Sequence, residues 1–407
     1  MTDARILFAT RGLRMFGYGF LSVILVLYLA AIGLGDAEIG ALLTLTLLGD
    51  AVVSLALTTR ADRVGRRRVL VAGAALMVLA GTVFIATRSF AVLVLAATIG
   101  VISPSGNEVG PFLAVEQASL AQTVGDRRRT SVFARFALTG SLATAAGALA
   151  GGAVAQAGLG VGLGPAGAYR LVVAGYVLVG LVLALMFIRL SGAIEVPPGR
   201  ASPAAGLLGL HRSRGVVLRL SALFSIDAFA GGFVMQSLVA YWFHVRFAID
   251  PAAIGAIFFV ANLLAAASAL AAARIAARIG LLNTMVFTHL PSNVLLVLVP
   301  LMPTLPLAIA VLLARFAISQ MDVPTRQSYT LAVVDPDERS AAAGVTGIAR
   351  SVGAGVAPLA SAPLVGNPAL ASIPFLVAGS LKIVYDLLVW VAFRRIRPPE
   401  ESGPGAG

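Results

Sequence analysis

Residues Arg60–Arg68 read RADRVGRRR, six charges in nine residues. They interrupt a 407-residue chain that is 59% hydrophobic and 12% charged, with a mean hydropathy of +0.95. A soluble chain carries about 25% charged residues. Apolar runs of about 20 residues, long enough to cross a bilayer, recur along nearly the whole length. They lack the interruptions and amphipathic period of a soluble core. The chain therefore reads as an all-α integral membrane protein, and RADRVGRRR as one of its loops.

Turn signals and charges mark twelve apolar segments, at 6–33, 37–59, 69–87, 89–121, 130–157, 167–189, 217–243, 252–273, 280–300, 304–331, 340–364 and 371–393. Between segments six and seven lies VPPGRASPAAGLLGLHRSRGVV, rich in Pro, Gly and Arg. The expected organisation is an N-terminal bundle of six helices over 1–190, a cytoplasmic linker over 191–216, a C-terminal bundle over 217–396 and a cytoplasmic tail over 397–407.

Arginine placement sets the orientation. With a cytoplasmic N-terminus, the inside loops hold Arg60, Arg63, Arg66–Arg68, Arg127–Arg129, Arg200, Arg212, Arg214, Arg274, Arg278, Arg339, Arg394, Arg395 and Arg397. The outside loops hold little more than Arg88, Arg170 and Arg246. Basic loops stay on the cytoplasmic side, so both termini are expected there. The net charge of +12 is then topological and does not point to nucleic acid as a partner. The first apolar run is too long for a cleavable signal peptide and is expected to remain as a helix.

Several chemistries are excluded. The absence of cysteine removes disulfides, thiol catalysis, iron–sulfur clusters and thiolate zinc sites. His211, His244 and His289 are scattered, which argues against a metal cluster or haem. The single lysine, Lys382, follows Ser-Leu rather than a glycine-rich loop, so there is no P-loop. No cofactor or metal is expected, and no constellation of nucleophile and base suggests an enzyme.

The halves repeat. RMFGYGF (Arg14–Phe20) aligns with DAFAGGF (Asp227–Phe233), Ile39-Gly40 with Ile254-Gly255, ADRVGRRR with AARIGLLN, and Glu108-Val109 with Asp322-Val323, all 213–215 residues apart. A tandem repeat of equal topology implies two pseudo-symmetric six-helix bundles related by an axis along the membrane normal.

Twelve segments in two halves, with Asp62, Arg63, Gly65, Arg66 and Arg67 after the second, resemble the major facilitator superfamily (MFS) of secondary transporters. The family signature there is G-x-x-x-D-R-x-G-R-R/K, and Thr58 stands at its leading glycine. The resemblance covers essentially the whole chain and implies the MFS fold, a small-molecule substrate and a monomer in a cell membrane, taken as a bacterial inner membrane. It also implies a gating role for the loop, engaged by Glu116. GALAGG, with Gly147, Gly151 and Gly152, resembles the G-P-x-x-G-G signature of drug:proton exporters, with Ala148 in place of proline; close helix packing is its other reading. The expected function is proton-coupled efflux of a small organic solute or drug by alternating access. Import of a nutrient, possibly anionic given Arg11 and Arg14, stays open, as do a lipid-flipping transporter and a non-transporting sensor.

Ionisable residues inside apolar segments mark candidate sites, because each costs about 2.5–3.5 kcal/mol at a helix centre on insertion scales. In segment four, Glu108 stands beside Asn107 and before Gly110-Pro111, which loosen a helix. Its repeat partner Asp322 has Arg326 one turn later, a self-neutralising pair. Asp50 has no obvious local partner. Arg14 and Asp227 occupy equivalent positions in helices that face each other across the family's central cavity. Either they form an inter-bundle ion pair or each pairs within its own bundle. Lys382 and Asp386, four apart in segment twelve, are expected to neutralise one another.

Overall fold

A computed structural model of the chain describes residues 3–123, 126–196, 211–335 and 338–395, without the side chains of 126–130 and 340. Most of the expected linker (197–210), the tail and the side chains of Arg127–Arg129 lie outside the described residues.

All regular structure in the described residues is helical. Segment one forms α1 (Asp3–Ser22) and α2 (Leu25–Ala31), bent by 43° at their junction. Segment two is α3 (Asp36–Thr58), followed by the single turn α4 (Ala61–Val64), and segment three is α5 (Arg66–Ala86). Segment four is α6 (Phe90–Ile99) and α7 (Phe112–Thr123); segments five and six are α8 (Asp126–Gly160) and α9 (Pro165–Ile188). Segment seven is α10 (Arg214–Phe233) and α11 (Gln236–Phe247), segment eight α12 (Pro251–Ile279) and segment nine α13 (Leu281–Leu298). Segment ten is α14 (Leu305–Phe316) and α15 (Asp322–Ala332), and the last two are α16 (Arg339–Gly366) and α17 (Ile373–Phe393).

Among the described residues nine helical stretches are long and apolar enough to span a bilayer, or ten if the bent first pair counts as one. Segments four and ten fall short because each is cut in two. The sequence supplies the cuts. Pro104, Gly106, Gly110 and Pro111 interrupt segment four, with Gly106 and Gly110 at φ +70° and +78°, where a side chain is strained. In segment ten Pro324 has no N–H and its ring crowds the preceding turn, so helix restarts only at Asp322.

An irregular stretch inside a membrane survives only if its backbone groups find partners within the protein. Residues 100–111 do so through side chains from three helices. Tyr176 on α9 donates to the Val101 carbonyl at 2.6 Å, and Tyr18 on α1 to that of Val109 at 3.0 Å. The Gly110 N–H donates to Asp50 on α3 at 2.7 Å, and Ser103 Oγ to the Asn107 carbonyl at 2.6 Å.

The chain forms two compact units. Unit 1 comprises Met1–Pro203 and Met235–Asn262; unit 2 comprises Ala204–Val234 and Leu263–Gly407. The sequence assigns 235–262 to the second bundle. Its contacts explain the difference: the Ser237 N–H donates to the Pro104 carbonyl at 3.2 Å, Gln236 to Ser22 at 2.7 Å, and Gly255 lies against Gly152 of α8.

Within each unit the same packing recurs. α1 packs on α8 and α9, and α5 on α9; in unit 2, α10 packs on α16 and α17, and α13 on α17. The first of these contacts is set by glycines. A Cβ on Gly147 would fall on the Phe16 carbonyl, one on Gly151 on that of Phe20, and one on Gly19 on that of Thr144. In unit 2, Gly353 meets Ser225 of α10 and Gly232 meets Ala354 of α16 in the same way. Without a hydrophobic drive between helices in lipid, such backbone-to-backbone approach supplies the association.

Two substitutions test this. Gly147→Ala is expected to destabilise the detergent-purified protein by about 1–3 kcal/mol, while Gly160→Ala, with nothing within 4 Å of its Cβ, shifts it by less than about 0.5 kcal/mol. Tyr176→Phe leaves the Val101 carbonyl without its donor and is expected to cost about 1–3 kcal/mol. Equal melting temperatures for Gly147→Ala and Gly160→Ala would refute the packing account, and an unchanged Tyr176→Phe the account of the break.

Candidate functional site

Arg14 of α1 is wholly buried, and its two terminal nitrogens separate two carboxylates. Nη1 pairs with Glu108 in the break of segment four and Nη2 with Glu116 on α7. Thr10, one turn earlier on α1, donates to Glu116 at 3.0 Å. Arg11 also pairs with Glu108 and lies over the Phe136 ring at 5.1 Å; it does not snorkel to the surface. Gly140 of α8 leaves room for its guanidinium, since a Cβ there would stand 2.7 Å from Nε. Glu108 is therefore held by two arginines rather than free, and keeps a side-chain exposure of 19%.

Glu116 departs most from its expected place. The family resemblance put it on the basic loop, but it is fully buried against α1. A carboxylate at that depth needs a cation at hydrogen-bond distance, and Arg14 is the one across from it. Gln122, later on α7, meets the loop instead, accepting from Arg66 Nη1 at 2.9 Å.

In unit 2 the sign of the central charge is reversed. Asp227 of α10, the repeat partner of Arg14, pairs with Lys382 on α17, Arg350 on α16 at 3.0 Å and Arg326 on α15 at 3.3 Å. His289 Nε2 of α13 stands 4.0 Å away. Arg326 also holds Asp322 at 2.6 Å. Arg14 and Asp227 thus each find partners inside their own unit. Lys382 and Asp386 do not pair with each other, because they serve different neighbours. Lys382 reaches α10 beside Gly231, where a Cβ would stand 3.7 Å from Nζ, in ordinary contact. Asp386 turns to α13, where His289 Nδ1 at 2.9 Å and Asn293 at 2.8 Å hold it.

Asp50 lies in mid-α3 and carries no ion pair among the described residues. Its Oδ1 accepts from the Gly110 N–H and, at 3.2 Å, from Ser54. Asn107 lies in the break and is exposed, its carbonyl bound by Ser103 and its N–H 3.4 Å from Ser105 Oγ.

The loop that carries Asp62, Arg63, Gly65, Arg66 and Arg67 turns at Gly65, where φ is +109°; its repeat partner Gly280 sits at +86°. Arg66 Nε bonds Asp62 at 2.9 Å, and Arg63 and half of Asp62 are exposed. The principal partner comes from the stretch after segment six. Glu195 accepts the N–H groups of Arg66 at 2.7 Å and Arg67 at 3.1 Å, capping the start of α5. Glu338 holds the turn that leads into α10, taking the N–H groups of His211, Arg212 and Ser213. Burial alone would raise its carboxyl, but these donors outweigh it and bring it down to about 2.

Sequence reasoning passed over Arg350 and His289, although both are ionisable residues inside apolar segments, the signal that flagged Asp50. Glu195 and Gln122 carry no local signal, because their partner Arg66 is remote in the chain.

Three comparisons place this geometry. A family model described as Major Facilitator Superfamily matches residues 7–358. The chain is 31% identical to the uncharacterized membrane protein YJR124C of Saccharomyces cerevisiae, over 96% of this chain and 94% of that protein. Among solved structures, the D-xylose–proton symporter superposes with a TM-score of 0.76 at 14% identity, covering 98% of each chain. The nucleoside transporter NupG does so at 0.75 and 14% identity, covering 97% of this chain and all of that one. These likenesses show the fold; family membership points to transport of small solutes rather than to an enzyme. The chain is a multi-pass membrane protein that belongs to the Major Facilitator Superfamily.

Proposed function

We propose that the protein is a proton-coupled secondary transporter that exports a small organic solute by alternating access, with Asp50 as the proton-carrying group. The observation that carries this reading is the contrast among intramembrane carboxylates. Glu108, Glu116, Asp227 and Asp322 each touch an arginine or lysine, and Asp386 a histidine. Among the described residues within the apolar helices, away from their ends, Asp50 meets only a backbone N–H and a hydroxyl. A carboxylate without a counter-charge in a low dielectric takes up a proton more readily than one held by a guanidinium.

Its bond to Gly110 gives that proton a mechanical consequence. A charged carboxylate accepts the N–H strongly, and protonation weakens the bond. Asp50 thus ties its charge to the one irregular stretch of segment four, where Glu108 also sits. Unwound backbone of this kind is where transporters of other folds bind ions and substrates. Arginine placement supports both termini in the cytoplasm. The direction of transport rests on the likeness of GALAGG to the exporter signature. Solved relatives by fold include nucleoside, sugar and peptide transporters, consistent with a small polar or amphipathic cargo.

A thermal-shift screen of purified protein supplies a ligand for the test. In proteoliposomes, Asp50→Asn is expected to keep ligand binding and counterflow exchange but to lose accumulation driven by an imposed pH gradient at least tenfold. Gradient-driven accumulation by Asp50→Asn equal to wild type, or a wild-type protein indifferent to the gradient, would overturn the proposal.

A further inference from the structure

The charge cluster of unit 2 does not balance. Four permanent cations, Arg315, Arg326, Arg350 and Lys382, come from α14, α15, α16 and α17. Three carboxylates stand against them: Asp227, Asp322 and Asp386. Asp386 is held by His289 and Asn293, so with His289 neutral one positive charge remains, and with it protonated two. Among the described residues, Asp227 is the sole carboxylate that Arg350 and Lys382 touch, and it shares Arg326 with Asp322.

The excess traces to Arg315. It lies in the last turn of α14, with Asp322 and Asp227 as its acidic electrostatic neighbours. Neither carboxylate comes within ion-pair distance, and its buried Nε has no hydrogen-bond partner. Arg315 is half-buried, and a cation partly withdrawn from water without an anion is costly unless something arrives to neutralise it.

Exposure within the cluster is uneven. Asp227, Asp322, Arg326 and Lys382 are 4–9% exposed, whereas the Arg350 side chain is 32% exposed. Arg350 holds Asp227 through Nη1 alone, which leaves the rest of its planar fork for a second carboxylate. Asp227 shows which functional group these side chains accommodate.

We propose that unit 2 carries a binding site for an organic monocarboxylate, received by Arg350 and drawn by the uncompensated charge of Arg315. With His289 neutral, one carboxylate neutralises the cluster, so a monoanion fits where a neutral solute leaves the excess and a dianion overshoots. The site deepens the transport reading above, on which it rests for its role as a substrate site, by naming the cargo's chemical class.

The test is binding in detergent, with no gradient imposed, so it stands apart from the Asp50 measurement. Purified full-length protein is titrated with benzoate and acetate, with their uncharged counterparts benzamide and acetamide, and with inorganic phosphate, reading the melting temperature. The carboxylates are expected to stabilise saturably and the amides not. Arg350→Gln and Arg315→Gln should each weaken the carboxylate response about tenfold or more, as removal of one partner from a buried charge contact does; Arg315→Gln, which breaks no resident ion pair, carries the test if Arg350→Gln does not fold. Amides that match the carboxylates, phosphate that stabilises as strongly as benzoate, or variants that titrate like wild type would each overturn the proposal.

Discussion

The ion pair between Arg14 and Glu116 lies wholly inside unit 1, with neither side chain exposed. Charged groups in hydrocarbon are costly one by one, and breaking a buried pair costs about 3–5 kcal/mol because the survivor stays buried and uncompensated. This constraint organises both halves. The first helix of each repeat places a charge at the same register, and the other helices of that unit supply its opposite. Arg14 draws the break of segment four and α7 onto α1. Asp227 draws α15, α16 and α17 onto α10. The glycine contacts of α1 with α8 and of α10 with α16 bring the backbones close enough for these short side-chain connections.

Pairing within each unit leaves few intramembrane groups with spare chemistry, and those few stand out. Among the described residues, Asp50 has no basic partner in unit 1 and Arg315 no acid at ion-pair distance in unit 2. The first sits on the backbone of a broken helix, the second at the end of one. Both breaks fall in segments equivalent by the repeat, so a duplicated scaffold has kept its interruptions and specialised the charge beside each. On the function proposed above, a proton-responsive carboxylate in one unit and a cationic cluster in the other would divide coupling and recognition between the halves.

The fold was largely legible because membrane segments announce themselves by hydropathy and loops by arginine, and both signals are local. The repeat was legible too, and Gly65 with Gly280 shows why: the same positive φ demands glycine in both halves. Partners were harder to read. Lys382 and Asp386 are four residues apart and looked like a pair, but a helix surrounded by neighbours turns adjacent side chains to different helices. Glu116 was assigned to the basic loop by resemblance, yet its depth committed it to Arg14. Glu195 caps the loop from a distance in sequence that no periodicity reveals. Sequence identified many of the residues that carry charge inside the membrane, though not Arg315, Arg350 or His289, and packing decided which of them meet.

A double-mutant cycle on Arg14 and Glu116 tests most directly whether within-unit charge pairing holds this protein together. Unfolding of wild type, Arg14→Gln, Glu116→Gln and the double variant would be compared in one detergent. The account predicts that each single variant is strongly destabilised and the double variant much less than their sum, with a coupling of about 1–3 kcal/mol. Additive effects, within about 0.5 kcal/mol, would contradict it.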